Sequence, residues 1–150
     1  MPDGIRGFWR GLFVFFEGLV INILVQFWAL TSPTDFLKTF VPKFANDAVL
    51  DHPVVALLVR CWAYMIVVLG FIEISVLTWG SQKACACFLA SAGVGDIMHL
   101  LVYLTFFSSH GVWDAGAIFG LLVAGGLLLL RVAWLTAHRH CWSAPPLKAS

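Results

Sequence analysis

The sequence predicts an all-α membrane protein: a bundle of four transmembrane helices, with a short amphipathic interfacial helix between the first two. Of its 150 residues, 61% are apolar and only 11% are charged. The mean hydropathy is +0.92, which is far above that of ordinary soluble domains. The apolar residues fall into four long runs, and each is near the ~20 residues that a membrane-spanning helix needs. The length suits a single transmembrane domain, residues 1–150.

The first predicted span covers residues 8–30 and follows a basic segment that contains Arg6 and Arg10. Basic residues before an apolar run are also typical of a signal peptide. This run is too long for one, it contains Glu17, and no small-residue cleavage pattern follows it. We therefore expect a retained transmembrane helix.

The long connection at residues 31–52 is expected to contain the interfacial helix. Ser32 and Pro33 are typical of a helix start, because proline is tolerated in the first turn. Apolar residues then recur at helical spacing before Pro42, namely Phe36, Leu37, Phe40 and Val41. Such a helix lies on the membrane surface, where it acts either as an anchor or as a lid over the bundle.

The other three spans follow one another with short turns between them. We expect them at residues 53–78, 84–107 and 113–136. A polar tail, residues 137–150, completes the sequence and is expected to be flexible.

The charges of the loops predict which side of the membrane the termini face. Basic residues dominate the side that holds both termini and the turn after the second span: Arg6, Arg10, Lys83, Arg139 and Lys148. The opposite side mixes two lysines with four aspartates: Lys38, Lys43, Asp35, Asp47, Asp51 and Asp114. By the positive-inside rule, both termini face the cytoplasm or an equivalent compartment. The sequence does not indicate which membrane holds the protein.

Ionisable and polar side chains inside the spans are the candidate functional residues. They are costly in a bilayer, so they normally face the bundle interior and mark functional sites. Helix rise places Glu73 and Arg131 at one depth, where we expect them to pair with Glu17 close by. At a second depth we expect Asp96 to pair with Arg60, among four further polar residues: His99, Asn22, Gln26 and Tyr103.

These residues suit a pocket for a hydrophobic ligand such as a lipid, a sterol or an isoprenoid. Asp96 and His99 share a helix face, since they are three residues apart, and Tyr103 continues that face. In an acid–base isomerisation, Asp96 and His99 would be the catalytic pair, and Glu17 or Glu73 would stabilise a cation. The ligand-binding candidates are Arg60, Arg131, Asn22, Gln26 and Tyr103.

Two other interpretations remain open. Buried polar residues often serve as contacts between helices, so the chain also suits a non-catalytic accessory or structural subunit of a larger membrane complex. A proton or ion path is the third interpretation. Gly116, Gly120 and Ala124 follow one another at four-residue spacing on the fourth span, and such small residues allow close packing within the bundle or in a homo-oligomer. Whether the protein is an enzyme stays undecided.

Several classes of partner and cofactor are not expected. A net charge of +1 gives no basic surface for nucleic acid, which leaves membrane lipids and a hydrophobic small molecule as partners. Cys85 and Cys141 are juxtamembrane candidates for palmitoylation. Together with Cys87, His138 and His140 they offer zinc ligands, but at no common spacing. Neither a metal nor a cofactor is therefore expected, and no nucleotide-binding or Ser/His/Asp pattern occurs.

Five short segments carry a resemblance to a known family: Phe16–Glu17, Gly70–Glu73, Gly95–Leu100, Val112–Asp114 and Leu130–Trp134. Across roughly residues 13–135 the chain resembles a family of small four-span membrane proteins known mainly from fungi, whose function is uncharacterised. That resemblance implies the four-span fold and no activity. A looser likeness, in size and span number, is to the sterol isomerase and sigma-2 receptor superfamily, whose members bind sterols or amines within a bundle. It implies a similar kind of ligand and assigns no residue.

Overall fold

The computed structural model describes residues 5, 7–44, 46–111, 113 and 115–139. Within them the chain forms five longer helices: α1 (Arg10–Thr31), α2 (Pro33–Phe40), α3 (Pro53–Trp79), α4 (Gln82–His110) and α5 (Ala115–Ala137). All except α2 are long and apolar enough to cross a membrane, so the predicted four-span helical fold is confirmed. Each span begins and ends within three residues of its predicted bounds.

Some predictions fall on positions outside the described residues. They concern the basic residues Arg6 and Lys148, the loop residue Asp114, the potential ligands His140 and Cys141, and the tail beyond residue 139.

Helix α1 changes its winding along its length. From Arg10 to Val25 the backbone forms a π-helix, and from Gln26 to Thr31 it forms an ordinary α-helix. In a π-helix the hydrogen bonds join residues five apart, so the turns are wider than in an α-helix. Glu17 and Asn22, which are five residues apart, therefore come close to one face.

The ends of α3 and α4 are set by local capping. The ring Nδ1 of His52 accepts a hydrogen bond from the Val54 amide at 3.2 Å, and Pro53 occupies the first turn of α3. Ser81 caps the start of α4 by accepting from the Ala84 amide, also at 3.2 Å. Gly111 ends α4 with a φ of +59°, a left-handed conformation that favours glycine. Ser81 and Gly111 thus belong to the short turns that precede and follow α4.

The four spans pack as two pairs. Helix α3 packs chiefly against α1, and α5 packs chiefly against α4, whereas the contact between α3 and α4 is smaller. The first pair needs a glycine at Gly70, because a Cβ there would lie 2.9 Å from the Asn22 Cβ. In the second pair, a Cβ at Gly120 would lie 3.0 Å from the Tyr103 ring. Gly120 is thus used for packing inside the bundle.

An apolar core closes the bundle at the end where α1 and α4 begin and α3 and α5 end. It contains buried residues from α1, α3, α4 and α5 and one residue that precedes α1: Ile5, Phe13, Leu77, Cys85, Ala86, Leu89 and Trp134. The Ile5 amide also donates to the Leu77 carbonyl at 3.0 Å. These contacts fix the four helix ends relative to one another.

The segment that contains α2 crosses the opposite end of the bundle, and the short helix predicted between the first two spans forms at Pro33–Phe40. Phe36 is buried against Ala29 of α1 and Ala63 of α3. Further along, Val41 and Phe44 pack on the second pair, against Phe107 and Ala117. The Lys43 ammonium group donates to the carbonyl oxygens of His110 and Gly111, each at 2.9 Å. The segment therefore connects both pairs of spans.

The packing predicts opposite outcomes for two glycine substitutions. Gly70→Ala should lower stability by about 1–3 kcal/mol, since its methyl group would overlap α1. Gly95→Ala is the matched control, because a Cβ there meets nothing within 4 Å. It gains the same helix propensity without a clash, so its stability should stay equal or rise. Denaturant unfolding of both variants in detergent makes the comparison, and equal stability would contradict this packing.

Candidate functional site

Arg131 is the centre of the candidate site. It lies on the buried face of α5, which also carries Ala124, Leu127 and Trp134, and only 2% of Arg131 is exposed. Its Nη1 donates to Oδ2 of Asp96 on α4, and its Nη2 donates to Oε1 of Glu17 on α1. One guanidinium thus forms ion pairs with two other spans.

Gly93 of α4 lies beside the aliphatic part of the Arg131 side chain. A Cβ at Gly93 would lie 3.9 Å from the Arg131 Cδ and 3.7 Å from the Leu128 Cδ1, which is ordinary van der Waals contact. Gly93 lies three residues, nearly one helical turn, before Asp96, so it shares the helix face that Arg131 meets.

The second span contributes Glu73 to the same region. Glu73 is 2% exposed, and its Oε2 accepts a hydrogen bond from Asn22 Nδ2 on α1 at 2.8 Å. The carboxylate of Asp96 acts on Glu73 as a nearby like charge. We call the set Glu17, Asn22, Glu73, Asp96 and Arg131 the polar centre, and all four spans contribute to it.

Several atoms of the polar centre have hydrogen-bonding capacity to spare. In the part of the chain that the structure describes, three of its buried atoms have no hydrogen-bond partner: Glu17 Oε2, Glu73 Oε1 and Arg131 Nε. Gln26 Oε1 and Thr78 Oγ1, on α1 and α3, are in the same condition. Buried polar atoms are normally paired with protein, water or ligand. The polar centre therefore offers two acceptors and one donor to a bound group.

The expected pairing of Asp96 with Arg60 does not form. Arg60 is exposed on α3, and its Nε donates to the Leu30 carbonyl oxygen at 3.2 Å. Leu30 lies in the last turn of α1, where carbonyl groups lack partners within the helix. The arginine therefore binds a helix end, and Asp96 pairs with Arg131 instead.

The expected pairing of Glu73 with Arg131 does not form either, and Glu73 is hydrogen-bonded to Asn22 instead. Helix α3 packs chiefly on α1, so Glu73 meets Asn22 of that helix. Both terminal nitrogens of Arg131 are engaged by Glu17 and Asp96. The expected proximity of Glu17 to Arg131, by contrast, is a direct ion pair.

Three other predicted residues make contacts of a different kind. His99 is exposed, and its ring packs edge-on against Tyr103 with the ring centroids 4.3 Å apart. Tyr103 in turn packs against Phe107. Gln26 is buried, and its Nε2 donates to the Ile21 carbonyl at 3.4 Å. The structure thus brings together Glu17, Glu73, Asp96, Arg131 and Asn22, whereas His99, Tyr103 and Gln26 have neighbours outside this set.

Thr78 is a half-buried polar residue that the sequence analysis did not name, and its buried Oγ1 has no hydrogen-bond partner among the described residues. The sequence gives no signal for it, because a threonine near a helix end usually bonds its own backbone.

The cysteines that the structure describes are not gathered into a metal site. Cys85 is buried, and its Sγ donates to the Val76 carbonyl at 3.4 Å, while Cys61 and Cys87 are exposed. Within the described ranges, no three or more His, Cys, Asp and Glu side chains are grouped to hold a metal ion.

Comparison of the chain with family models, with curated proteins and with solved structures gives no match. Function is therefore inferred from the polar centre itself.

The two intramembrane arginines should differ sharply in their importance for stability. Arg131→Met leaves Glu17 and Asp96 buried without their cation, which should cost about 3–5 kcal/mol of unfolding free energy. Arg60→Met is the matched control and should have a much smaller effect, since Arg60 is exposed and bonds one carbonyl. Both are measured by denaturant titration in mixed micelles. A loss for Arg60→Met as large as that for Arg131→Met would contradict the assigned pairing.

Proposed function

We propose that the polar centre binds the polar end of a hydrophobic small molecule, such as a lipid, a sterol or an isoprenoid. One observation carries this proposal. Buried side chains from four apolar spans meet at one place, and two of their carboxyl oxygens and one guanidinium nitrogen have no hydrogen-bond partner among the described residues. Inside a membrane each such atom costs several kcal/mol, so a polar ligand group that satisfies them would bind favourably. The apolar part of that molecule would lie among the spans.

Asp96 is the member through which a ligand reaches the polar centre. Its side chain is 16% exposed, against 5% for Glu17 and 3% for Arg131. Glu73 is buried more deeply than Asp96 as well. The contact between α3 and α4 is also smaller than the contacts within the two pairs of spans.

Acid–base isomerisation is the reaction that these groups would perform. Asp96 transfers the proton, and its ion pair with Arg131 fixes the position of the carboxylate. His99 lies three residues further along α4 and is exposed, so it serves as the second acid–base group of the pair. Glu17, or Glu73 when it is ionised, stabilises a positive charge that develops on the ligand.

The orientation of the bundle belongs to the same proposal. The helix ends beside the termini carry Arg10, Lys83 and Arg139, whereas the segment around α2 carries aspartates beside its two lysines. By the positive-inside rule the termini then face the cytoplasm.

A second function, that of a non-catalytic subunit in a larger membrane complex or a homo-oligomer, is favoured by three outward-facing glycines. A Cβ at Gly95, Gly125 or Gly126 would meet nothing within 4 Å. Small residues on an open helix surface let another helix approach closely. In that function the ion pairs of Arg131 serve only to hold the bundle together.

Native mass spectrometry of the protein in mild detergent distinguishes the two functions. The ligand proposal predicts one additional small hydrophobic mass per chain. Asp96→Asn should reduce its occupancy about tenfold or more, because a hydrogen bond to a charged group contributes about 1.5–3 kcal/mol. Asp51→Asn is the control, since Asp51 is exposed and pairs with Lys38.

Equal occupancy in the Asp96→Asn and Asp51→Asn variants would refute the ligand site. A bare chain inside a larger complex would support the subunit function instead.

A further inference from the structure

Glu73 is the buried acid of the polar centre that forms no ion pair with Arg131. The terminal nitrogens of Arg131 are directed to Glu17 and Asp96. Glu73 receives a hydrogen bond from the neutral amide of Asn22, and its second oxygen, Oε1, is buried without a partner. Among the described residues, its hydrogen-bonding environment therefore contains no positive charge.

The charge balance of the polar centre makes an ionised Glu73 carboxylate costly. Asp96 of α4 is a like charge near Glu73, and the one arginine of the set, Arg131 of α5, is shared between Asp96 and Glu17 of α1. With all three acids ionised, these groups and Glu73 would carry three negative charges against one positive charge. A buried charge without its own partner costs several kcal/mol in a low-dielectric interior. One bound proton removes that cost at Glu73 and leaves both ion pairs intact.

We propose that Glu73 is a neutral carboxylic acid at neutral pH and forms an exchangeable proton-binding site within the bundle. The hydrogen-bond geometry fits this state. A protonated carboxyl group has one oxygen that accepts and one that donates. Oε2 accepts from Asn22, and Oε1, which has no partner among the described residues, carries the proton.

The proton exchanges with the side of the membrane that holds the chain termini. Glu73 lies six residues from the end of α3 at Trp79, which is ~9 Å at the helical rise, but twenty residues, or ~30 Å, from its start at Pro53. Leu77 and Phe13 close the direct path as part of the apolar core. Exchange with that side therefore requires the packing of Leu77 and Phe13 to open transiently. Proton binding at Glu73 does not require a hydrophobic ligand, but it changes Oε1 from an acceptor into a donor for such a ligand.

Infrared spectroscopy of the full chain in lipid at neutral pH tests the proposal. The expected result is a carboxylic-acid C=O band that shifts after transfer to D₂O and disappears in Glu73→Gln. Asp51→Asn, which changes an exposed carboxylate, should keep the band.

Absence of the band in the unmodified chain, or its persistence in Glu73→Gln, would overturn the assignment to Glu73. A band that does not shift in D₂O would contradict the claim that the Glu73 proton exchanges with solvent.

A chemical measurement on the unmodified chain covers the case in which Glu73→Gln does not fold. A lipid-soluble carbodiimide reacts with a protonated carboxyl group: a carboxyl oxygen bonds to the carbodiimide carbon, and the carboxyl proton moves to a carbodiimide nitrogen. Peptide mass spectrometry should find at least about tenfold more adduct on Glu73 than on Glu17, whose carboxylate is paired with Arg131. Equal labelling of the two residues, or no labelling of Glu73, would overturn the proposal.

Discussion

The ion pair between Arg131 and Glu17 joins the two pairs of spans, and the rest of the bundle depends on that connection. Helix α5 supplies the guanidinium, α4 supplies Asp96, and α1 supplies Glu17. The larger apolar contacts lie within the pairs, between α1 and α3 and between α4 and α5. In lipid, apolar surfaces gain little by association, so packing and polar contacts determine how helices assemble. The segment around Phe36 and Lys43 then fixes the opposite end of the bundle.

The fold could be predicted from the sequence because a membrane leaves few choices to the backbone. An apolar run in lipid must form a helix, which satisfies its amide and carbonyl groups internally. Pro33 and Pro53 mark the starts of α2 and α3, as proline in a first turn should. The cost of ionisable groups in a membrane also predicts that Glu17, Glu73, Asp96 and Arg131 face the bundle interior, although it predicts the same for Arg60 and His99, which are exposed.

The partners within the polar centre could not be predicted, since depth along a helix does not define the direction of a side chain. Similar depth in the membrane predicts that Arg60 pairs with Asp96, whereas the Arg60 Nε donates to the Leu30 carbonyl at the end of α1. The packing of α3 on α1 turns Glu73 towards Asn22. The π-helical winding of α1 also changes which of its residues share a face, and no residue pattern signals that winding. Both a ligand site and a proton site follow from the resulting arrangement, in which three acids share one arginine.

Solid-state nuclear magnetic resonance tests the central connection most directly. With labelled arginine nitrogens and labelled side-chain carboxyl carbons, dipolar recoupling in lipid bilayers measures the distances from the Arg131 guanidinium to individual carboxyl groups. The structure predicts that Glu17 and Asp96 both lie within ion-pair range of Arg131, about 4 Å between nitrogen and oxygen. A guanidinium that contacts Glu73 in place of Glu17 and Asp96 would contradict the arrangement described.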